Sequence, residues 1–369
     1  MHVLHVITTI NRGGAENHLF DLVRAQVALG LTVTVAYLKG DGYWASSMGD
    51  LGVSVAPLGL RFYGDLAPLC KLRRLINITK PDIVHAHMPP AELYTCLALL
   101  LMQPVPILVI SKHNDERFFV GLGQRFVGRW VLTRAKRVIS ISNAVYRHVE
   151  ANLRPRPHQV VTVYYGIDPR PYQAITKQVI SDVRTSWGVP EGTHVIGTVT
   201  RFVPQKSLHV LLKAYANFRA GAVRDSRLVL VGRGPLEEGL RQLAANLGIE
   251  NSVVWAGFRE DIQAVMGAFD CFALTSKYEG FGRVLLEAMA AGRPVVATAV
   301  SAIPEVVADG VTGILCPAGD VESVAAAFSR LTEPALHASF GEAGKQRVER
   351  SFSIESMLGK TMSIYLECL

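Results

Sequence analysis

The sequence is poor in cysteine and in charged residues, and each shortage excludes a class of protein. Five cysteines are spread over 369 residues without a Cys-x-x-Cys pair. This argues against a disulfide framework and a zinc cage, so we expect a reducing compartment. Charged residues make up 19% of the chain and apolar residues 49%, which excludes a disordered polar chain. With 32 glycines and 18 prolines, usage is near ordinary and excludes collagen-like and mucin-like sequences.

Several catalytic signatures are also missing. The chain has no P-loop motif GxxxxGK[ST], no GxSxG, no HExxH and no protein-kinase signature. The dinucleotide fingerprint GxGxxG is absent, which disfavours a nicotinamide-dependent dehydrogenase. No two aspartates stand two positions apart. The DxD motif of many metal-dependent nucleotide-sugar enzymes is therefore missing, and we expect neither a metal nor another cofactor.

Neither the first residues nor the apolar run over residues 93–110 predicts an export signal or a membrane span. The first seven residues lack the basic region and cleavage site of a signal peptide and are typical of a buried strand. The apolar run over residues 93–110 is interrupted by Pro104 and Pro106. Because proline excludes a continuous helix there, we expect a buried helix, a turn and a strand. We therefore expect a cytoplasmic protein that can lie at the inner face of the membrane.

Short apolar runs alternate with amphipathic stretches along the whole chain, a pattern typical of buried parallel strands covered by helices. The length suggests two domains. We predict an α/β chain of two tandem, doubly wound, Rossmann-like units that face a cleft. Their bounds are 1–169 and 170–352, and a final helix at 353–369 returns to the first. Predicted strands are 2–8, 32–38, 82–86, 107–111, 137–141, 194–200, 227–231, 253–255, 271–274, 294–298 and 313–315.

Positive charge is concentrated in the first half. Residues 1–170 hold 19 Lys and Arg against 11 Asp and Glu, a net charge of +8, whereas the remainder holds 19 against 20, a net charge of −1. The first half is therefore expected to meet an anionic partner or a membrane surface.

Two glycines follow the first predicted strand. Gly13 and Gly14 lie between that strand and a helix. Adjacent glycines let a ligand approach the backbone closely, and the helix start offers N–H groups to an anion. A tight turn without a ligand is the alternative.

Two basic residues near the start of the second half also lie between a predicted strand and a helix. Arg201 and Lys206 follow a predicted strand and precede a helix. A forked guanidinium and an ammonium suit a diphosphate. A solvated loop explains the pair equally well.

The most specific segment is KYEGFGRVLLEAMAAG, over residues 277–292. Its glycines at 280 and 282 expose backbone amides where a helix begins, and Glu279 lies in the preceding loop. Glu287 lies on the helix, and its side chain leans back toward the helix N-terminus. The two carboxylates can thus meet the two ends of one polyhydroxyl ligand. The alternative to this binding role is that Glu279 caps the helix and Glu287 is a solvated surface residue.

Histidines stand at the ends of two strands of the first half. His85 and His87 end one strand, and His113 and Asn114 follow the next. If the strand runs through His87, both histidines share a face; if it ends at Ala86, His87 is free to face the cleft. A zinc site lacks nearby cysteine and a third clear ligand. Binding or proton relay at a cleft wall and an ordinary structural role remain open.

Residues 117–137 combine six basic residues with aromatic ones and contain no acidic residue. Such a stretch is typical of an interfacial helix that touches an anionic membrane, here through Arg125, Arg129 and Trp130. An ordinary helix with snorkelling arginines is the alternative. No nucleic-acid reader motif is present, so we expect no nucleic-acid partner.

At these motifs the chain resembles the GT-B retaining glycosyltransferases of family 4. The resemblance covers nearly the whole chain and is most specific in EGFGRVLLEAMAAGRPVVAT and IPEVV, with further matches at GGAE, PDIVHAH and GRGP. Two positions depart from the family pattern. Ser301-Ala302 stands where the family often has Gly-Gly, and Tyr165 stands where it usually has asparagine.

The resemblance implies a donor that is a nucleotide diphosphate sugar and assigns roles to individual residues. Arg201 and Lys206 would bind the diphosphate, Glu279 the donor sugar and Glu287 the ribose. The acceptor would lie near His87, His113 and Asn114. Further donor contacts would come from Gly13, Gly14, Gly232, Phe281, Gly282, Arg283, Val284 and Leu285.

The chain is therefore expected to be a hexosyltransferase. It would move a hexose or N-acetylhexosamine from a UDP-sugar, or next a GDP-sugar, to a saccharide or lipid-linked acceptor in envelope or exopolysaccharide synthesis. Arg201 and Lys206 would stabilise the leaving diphosphate without a metal. Two alternatives remain: an epimerase or sugar-phosphate synthase with a small soluble acceptor, and an inactive protein that binds a nucleotide sugar.

Overall fold

Short β-branched runs form the strands of two separate parallel sheets, and the amphipathic segments between them form helices. The computed structural model describes residues 1–100, 102–114, 121–221 and 225–369. By contacts, the chain divides into unit 1, Met1–Gly166 with Ile354–Leu369, and unit 2, Ile167–Ser353. The predicted class, α/β with two doubly wound parallel sheets, is confirmed.

Unit 1 contains a seven-stranded sheet in the order β3-β2-β1-β4-β5-β6-β7, with every pair parallel. The order reverses between β1 and β4, and ligands of such folds bind at this kind of switch point, outside the carboxyl ends of the strands. The strands are β1 His2–Ile7, β2 Thr32–Tyr37, β3 Ser54–Pro57, β4 Ile83–His87, β5 Ile107–Lys112, β6 Arg137–Ser140 and β7 Val160–Thr162.

Helices cover both faces of this sheet. The last helix of the chain, α16, packs on the first, α1, and buries Met357, Ile364 and Tyr365 against Val3 and Leu22. The helices are α1 Gly14–Ala28, α2 Ala45–Asp50, α3 Ala67–Thr79, α4 Pro89–Leu99, α5 Leu122–Arg134, α6 Asn143–Leu153 and α16 Ile354–Cys368.

Unit 2 contains a six-stranded parallel sheet in the order β10-β9-β8-β11-β12-β13, with its switch point between β8 and β11. At Gly197 in β8, a Cβ atom would lie 2.2 Å from the ring of Phe269, so a buried aromatic fills the space that glycine leaves. The strands are β8 His194–Val199, β9 Ser226–Val231, β10 Val253–Gly257, β11 Cys271–Leu274, β12 Val295–Thr298 and β13 Gly313–Cys316.

The helices of unit 2 bury a large apolar core around Phe218 and Phe328. Among the helices of both units that the structure describes, none is long and apolar enough to cross a membrane. The helices are α7 Arg170–Gln173, α8 Lys177–Ser186, α9 Leu208–Gly221, α10 Glu237–Asn246, α11 Ile262–Ala268, α12 Arg283–Ala290, α13 Ile303–Val306, α14 Val321–Arg330 and α15 Pro334–Ser351.

Candidate active site

The switch point of unit 2 brings together a lysine and a glutamate that lie 73 residues apart. Lys206 ends a short 3₁₀ turn that follows β8, and Glu279 lies in the loop that follows β11. Because β8 and β11 are neighbours, the Lys206 ammonium donates to the Glu279 carboxylate. Arg201 follows β8 directly and is exposed.

A third polar group completes this cluster. The Ser276 hydroxyl donates to the same Glu279 oxygen at 2.7 Å. The side chains of Lys206 and Glu279 are only 14% and 9% exposed, so the pair is largely shielded from water. Shielding strengthens the attraction between the two charges, which fixes both side chains before a ligand arrives.

The loop after Glu279 leads directly into α12. Gly282 precedes the helix with a φ of +83°, a left-handed conformation that glycine adopts without strain. The N–H of Leu285 already donates to the Gly282 carbonyl at 2.8 Å. On the helix, Glu287 is 8% exposed and its carboxylate lies 3.6 Å from Nε of Arg283. The predicted donor residues of this segment therefore surround one helix N-terminus.

The loops after β8 and β9 are in close contact. Gly232 has a φ of +131°, and a Cβ atom there would lie 1.9 Å from the Thr200 carbonyl oxygen. Its N–H donates to the Gly257 carbonyl at 2.7 Å. A side chain at this position would push the loop that carries Arg201 away from the sheet.

In unit 1, the first of the two glycines after β1 lies against a buried carboxylate. Gly13 precedes α1 in extended conformation, and a Cβ atom there would lie 2.3 Å from Oε2 of Glu16. The other oxygen of Glu16 accepts from the Thr9 hydroxyl at 2.6 Å. Glu16 therefore places its own negative charge at the start of α1, where a carboxylate is stabilised.

Strand β4 runs through His87, so His85 and His87 share a face, and both are buried. Nε2 of His87 lies 3.0 Å from Nδ1 of His5 in β1, and its Nδ1 lies 3.0 Å from Nε2 of His113. Nδ1 of His113 in turn lies 2.5 Å from the Tyr165 hydroxyl. The predicted acceptor residues His87 and His113 therefore use both ring nitrogens within one buried network.

The network continues into both helices that cover this face. Nε2 of His5 lies 2.8 Å from Oε1 of Gln26 in α1, and the Gln26 amide nitrogen lies 3.5 Å from the Tyr365 hydroxyl in α16. The same hydroxyl lies 2.6 Å from Nδ1 of His85, whose Nε2 lies 2.7 Å from the Ser111 hydroxyl.

Burial keeps these imidazoles neutral. It lowers the pKa of His5 to about 4, against the opposing effect of the Gln26 hydrogen bond. Burial, and then the positive charge of Lys112, lower the pKa of His113 to about 3. Burial and the neighbouring histidines hold the pKa values of His85 and His87 well below the usual range. At neutral pH, each ring therefore carries one N–H and one lone pair.

Three of these histidines are close enough to hold a metal ion. One ring nitrogen from each of His5, His85 and His87 lies within 4.8 Å of the other two. Within the described part of the chain, every nitrogen of these three rings already has a hydrogen-bond partner. A metal would have to replace a hydrogen bond at each ligand. The third imidazole, His5, is a residue that the sequence prediction did not identify.

A small pocket lies beside this network, at the carboxyl ends of β4 and β5. His113, the exposed Asn114 and the buried ion pair of Lys112 with Glu92 line it. Met88, also in its wall, has a φ of +73°, which is unfavourable for a bulky residue. Such strain is often found at functional sites.

The predicted basic surface lies on α5. Phe126 is 69% exposed, whereas Arg125, Arg129 and Trp130 are half-buried. Arg125 donates to the Asn152 side chain at 3.3 Å. The first part of the stretch, residues 117–120, lies outside the described residues.

Sequence reasoning missed the partners that complete the histidine network. His5 lies inside β1 and belongs to no motif, and Tyr365 lies on the last helix. Gln26 carried a usable signal: it falls at helical spacing with Leu19 and Leu22, on the face predicted to be buried. A polar group on such a face needs a buried partner.

The chain is similar to known proteins over both units. Residues 12–170 match Glycosyltransferase Family 4, and residues 179–347 match Glycosyl transferases group 1. The N-acetyl-alpha-D-glucosaminyl L-malate synthase of Bacillus anthracis is 29% identical over 83% of this chain and 80% of its own length. The lipopolysaccharide core biosynthesis glycosyltransferase LpsE of Rhizobium meliloti is 30% identical over 94% and 93%.

Solved structures show the same architecture. Anabaena Alr3699/HepE in complex with UDP-glucose is 25% identical, superposes with a TM-score of 0.86 and covers 100% of both chains. Its likeness extends across both parallel-sheet units, as does the sequence match to LpsE. With the two family matches, these similarities show that the chain belongs to glycosyltransferase family 4 and is a glycosyltransferase with the GT-B fold.

Proposed function

We propose that this glycosyltransferase moves a hexose or N-acetylhexosamine from a UDP-sugar to a saccharide or lipid-linked acceptor in envelope or exopolysaccharide synthesis. The sugar nucleotide is supported by the likeness to Alr3699/HepE, which was solved with UDP-glucose. A polymer or lipid acceptor is supported by the similarity to LpsE, whose name places it in lipopolysaccharide core synthesis. A GDP-sugar is the next candidate donor.

The observation that carries the donor assignment is the cluster of Lys206, Glu279 and Ser276 at the switch point of unit 2. A diphosphate can share the Lys206 ammonium, with Arg201 as the second cation. The Glu279 carboxylate then gains hydrogen-bonding capacity for the hydroxyls of the donor sugar. On α12, Glu287 is placed for the ribose.

The remaining donor contacts follow from the backbone. The first turn of α12 presents its positive end to an anion, because the N–H groups at a helix start carry partial positive charge. Close contact at Gly232 fixes the loop that bears Arg201. The residues proposed here are Gly13, Gly14, Gly232, Phe281, Gly282, Arg283, Val284 and Leu285.

The same arrangement supports transfer without a metal. In the reaction, the bond between the anomeric carbon and the diphosphate oxygen breaks, and its electron pair stays on the diphosphate. The acceptor oxygen bonds to the anomeric carbon and passes its proton to the leaving diphosphate oxygen. Lys206, Arg201 and the helix amides stabilise the transition state more than the bound donor, because negative charge develops on the diphosphate as the bond breaks. We assign Glu279 to positioning the donor sugar, and we expect retention of configuration.

On unit 1, we assign the acceptor to the pocket beside His113. Asn114 is exposed at its rim and can hydrogen-bond an acceptor hydroxyl. His113 forms part of the wall, and His87 lies behind it. The paired Lys112 and Glu92 add no net charge to the pocket, which suits a neutral polyhydroxyl acceptor.

A membrane surface is a second proposed partner. The exposed Phe126 on α5 lies beside half-buried arginines at 125 and 129, and the half of the chain that contains them has a net charge of +8. Arginine and aromatic side chains together suit the interface of an anionic bilayer.

Variants of the donor cluster test the proposal. Lys206→Ala should lower transfer from UDP-glucose by about 10²–10³-fold, the usual cost of one group that stabilises developing charge. Glu279→Ala should lower it by about 10²-fold, because the donor sugar loses a group that positions it. Lys213→Ala, which removes an exposed lysine on α9, is the matched control and should retain activity. UDP release measures turnover, and circular dichroism checks folding. Full activity in either cluster variant would overturn the assignment.

A small soluble acceptor is the second candidate, because the N-acetyl-alpha-D-glucosaminyl L-malate synthase is similar over 83% of the chain. A panel that pairs UDP-glucose and UDP-N-acetylglucosamine with L-malate, with monosaccharides and with lipid-linked saccharides separates the two. Turnover only with L-malate favours the small acceptor. Product formed from the donor alone would indicate an epimerase.

A further inference from the structure

One chain of four hydrogen bonds crosses unit 1 from α1 to its carboxyl edge. It joins Gln26, His5, His87, His113 and Tyr165, with distances of 2.8, 3.0, 3.0 and 2.5 Å between successive polar atoms. All five side chains are buried. The segments it connects are α1, β1, β4 and the residues that follow β5 and β7.

A chain of neutral imidazoles has only two self-consistent directions, since each ring has one N–H and one lone pair. In the first direction, each of the three histidines carries its proton on Nε2, and Tyr165 donates to Nδ1 of His113. In the second direction, each proton lies on Nδ1, and Tyr165 accepts. A mixture would leave two lone pairs or two N–H groups facing each other in a buried site.

Gln26 selects the first direction. Its carbonyl oxygen Oε1 faces His5, and an oxygen of this kind only accepts, so His5 must donate from Nε2. His5 then accepts at Nδ1 from Nε2 of His87, and His87 accepts at Nδ1 from Nε2 of His113. Nδ1 of His113 therefore accepts from the Tyr165 hydroxyl.

This chain of hydrogen bonds is suited to holding side chains in place rather than to moving protons. It ends at the side-chain amide oxygen of Gln26, which is too weak a base to take up a proton at neutral pH. A proton entering at Tyr165 would have no destination. A scaffold of this kind instead fixes ring orientation, because both nitrogens of each of its three rings are hydrogen-bonded.

The end of this hydrogen-bond chain formed by His113 and Tyr165 supports two parts of the candidate active site. His113 lines the pocket assigned to the acceptor. Tyr165 stacks on His18, with ring centres 4.1 Å apart and planes at 20°. His18 lies on α1, one turn after Gly13 and Gly14.

We propose that Gln26, His5 and His87 are positioning residues for glycosyl transfer, which fix His113 in its Nε2–H tautomer and in one ring orientation. They touch neither substrate and act through His113 and Tyr165. The link to the acceptor rests on the proposed function, whereas the direction of the chain does not.

The experiment reads the tautomers directly. Nitrogen-15 NMR of the full chain with labelled imidazoles distinguishes Nε2–H from Nδ1–H for each histidine. In the wild-type protein, His5, His87 and His113 should all carry the proton on Nε2. Gln26→Met removes the acceptor that sets the direction, at nearly the same side-chain length. In this variant, the ratio of the Nδ1–H to the Nε2–H form at His113 should rise at least tenfold.

Ser111→Ala is the matched control. It removes a buried hydroxyl that hydrogen-bonds His85, in the same layer of unit 1 but off the chain. This variant should leave the His113 tautomer unchanged, because the hydrogen bond that it removes is not part of the chain from Gln26 to Tyr165. Affinity for UDP, measured by calorimetry, should change little in either variant, because we assign the ribose and the cations that bind the diphosphate to unit 2 and only the contacts of Gly13 and Gly14 to unit 1.

A variant at the opposite end guards against misfolding of Gln26→Met. Tyr165→Phe keeps the stacking on His18, and Gln26 still sets the direction, so His113 should remain Nε2–H. An Nδ1–H form of His113 in the wild type or in Tyr165→Phe would overturn the inference. Stoichiometric zinc in the purified protein, bound by His5, His85 and His87, would also overturn it. Gln26→Met should also lower transfer, and unchanged transfer in this variant despite the expected change of tautomer would refute the proposed acceptor site alone.

Discussion

Acidification should unfold unit 1 before unit 2, because four buried imidazoles in unit 1 resist protonation. The unfolded chain binds protons at these histidines below a pKa of about 6.5, whereas the folded pKa values are about 4 for His5 and about 3 for His113. Between those limits the unfolded state binds more protons, so stability rises with pH and is lost as the pH falls.

The magnitude follows from the same values. On going from pH 7.5 to pH 5.5, each such histidine costs unit 1 about 1.3 kcal/mol of unfolding free energy. His5 and His113 together cost about 2.7 kcal/mol, and His85 and His87, whose pKa values are also held low, act in the same direction. The cost from His5 and His113 alone is already a large part of the roughly 5–15 kcal/mol by which many domains are stable.

Hydrogen exchange read by mass spectrometry follows each unit separately. We expect the opening free energy of the most protected amides in β1 and β4 to fall between pH 7.5 and 5.5, after correction for intrinsic exchange. The strands of unit 2 serve as the internal reference. His5→Leu should reduce the pH-dependent loss by about 1.3 kcal/mol, whereas His158→Gln, which removes an exposed histidine, is the matched control and should show the wild-type dependence. Protection of unit 1 that does not change with pH would refute this reasoning.

Three further predictions concern other parts of the chain. Gly197→Ala should lower the unfolding free energy of unit 2 by about 1–3 kcal/mol through overpacking against Phe269, which urea titration measures; an unchanged midpoint would contradict it. Excess EDTA should leave UDP release intact, and a strict need for divalent metal would refute the proposed metal-free transfer. Replacing Arg125 and Arg129 by glutamine should weaken sedimentation with anionic vesicles, whereas equal binding would favour an ordinary surface helix.

The continuous apolar strands were predictable because burial on both faces imposes a run of Val, Ile and Leu. Strands 2–8 and 32–38, for example, match β1 and β2 to within one residue. The short edge strands β3 and β7 were not predicted. Edge strands need less continuous burial, and β7 has only three residues.

The site was predictable in its residue types but not in its contacts. A strand followed by Arg201 and Lys206, or by Glu279, indicates a functional loop, and the carboxyl ends of parallel strands share one edge. That Lys206 meets Glu279 depends on β8 and β11 being neighbours, which is a property of strand order. The same holds for His5, which meets His87 only because β1 pairs with β4.

The return of α16 to unit 1 has a consequence for biosynthesis. Unit 1 begins at Met1 but obtains Met357, Ile364 and Tyr365 from the last helix, so its core stays incomplete while the ribosome makes the intervening 187 residues of unit 2. Domains usually complete their folding in the order of synthesis. Here the order is reversed: unit 2 can close first, and the nascent unit 1 exposes the apolar surface that α16 covers until α16 itself has been made. Chaperones that shield apolar surface would therefore act mainly on the half made first.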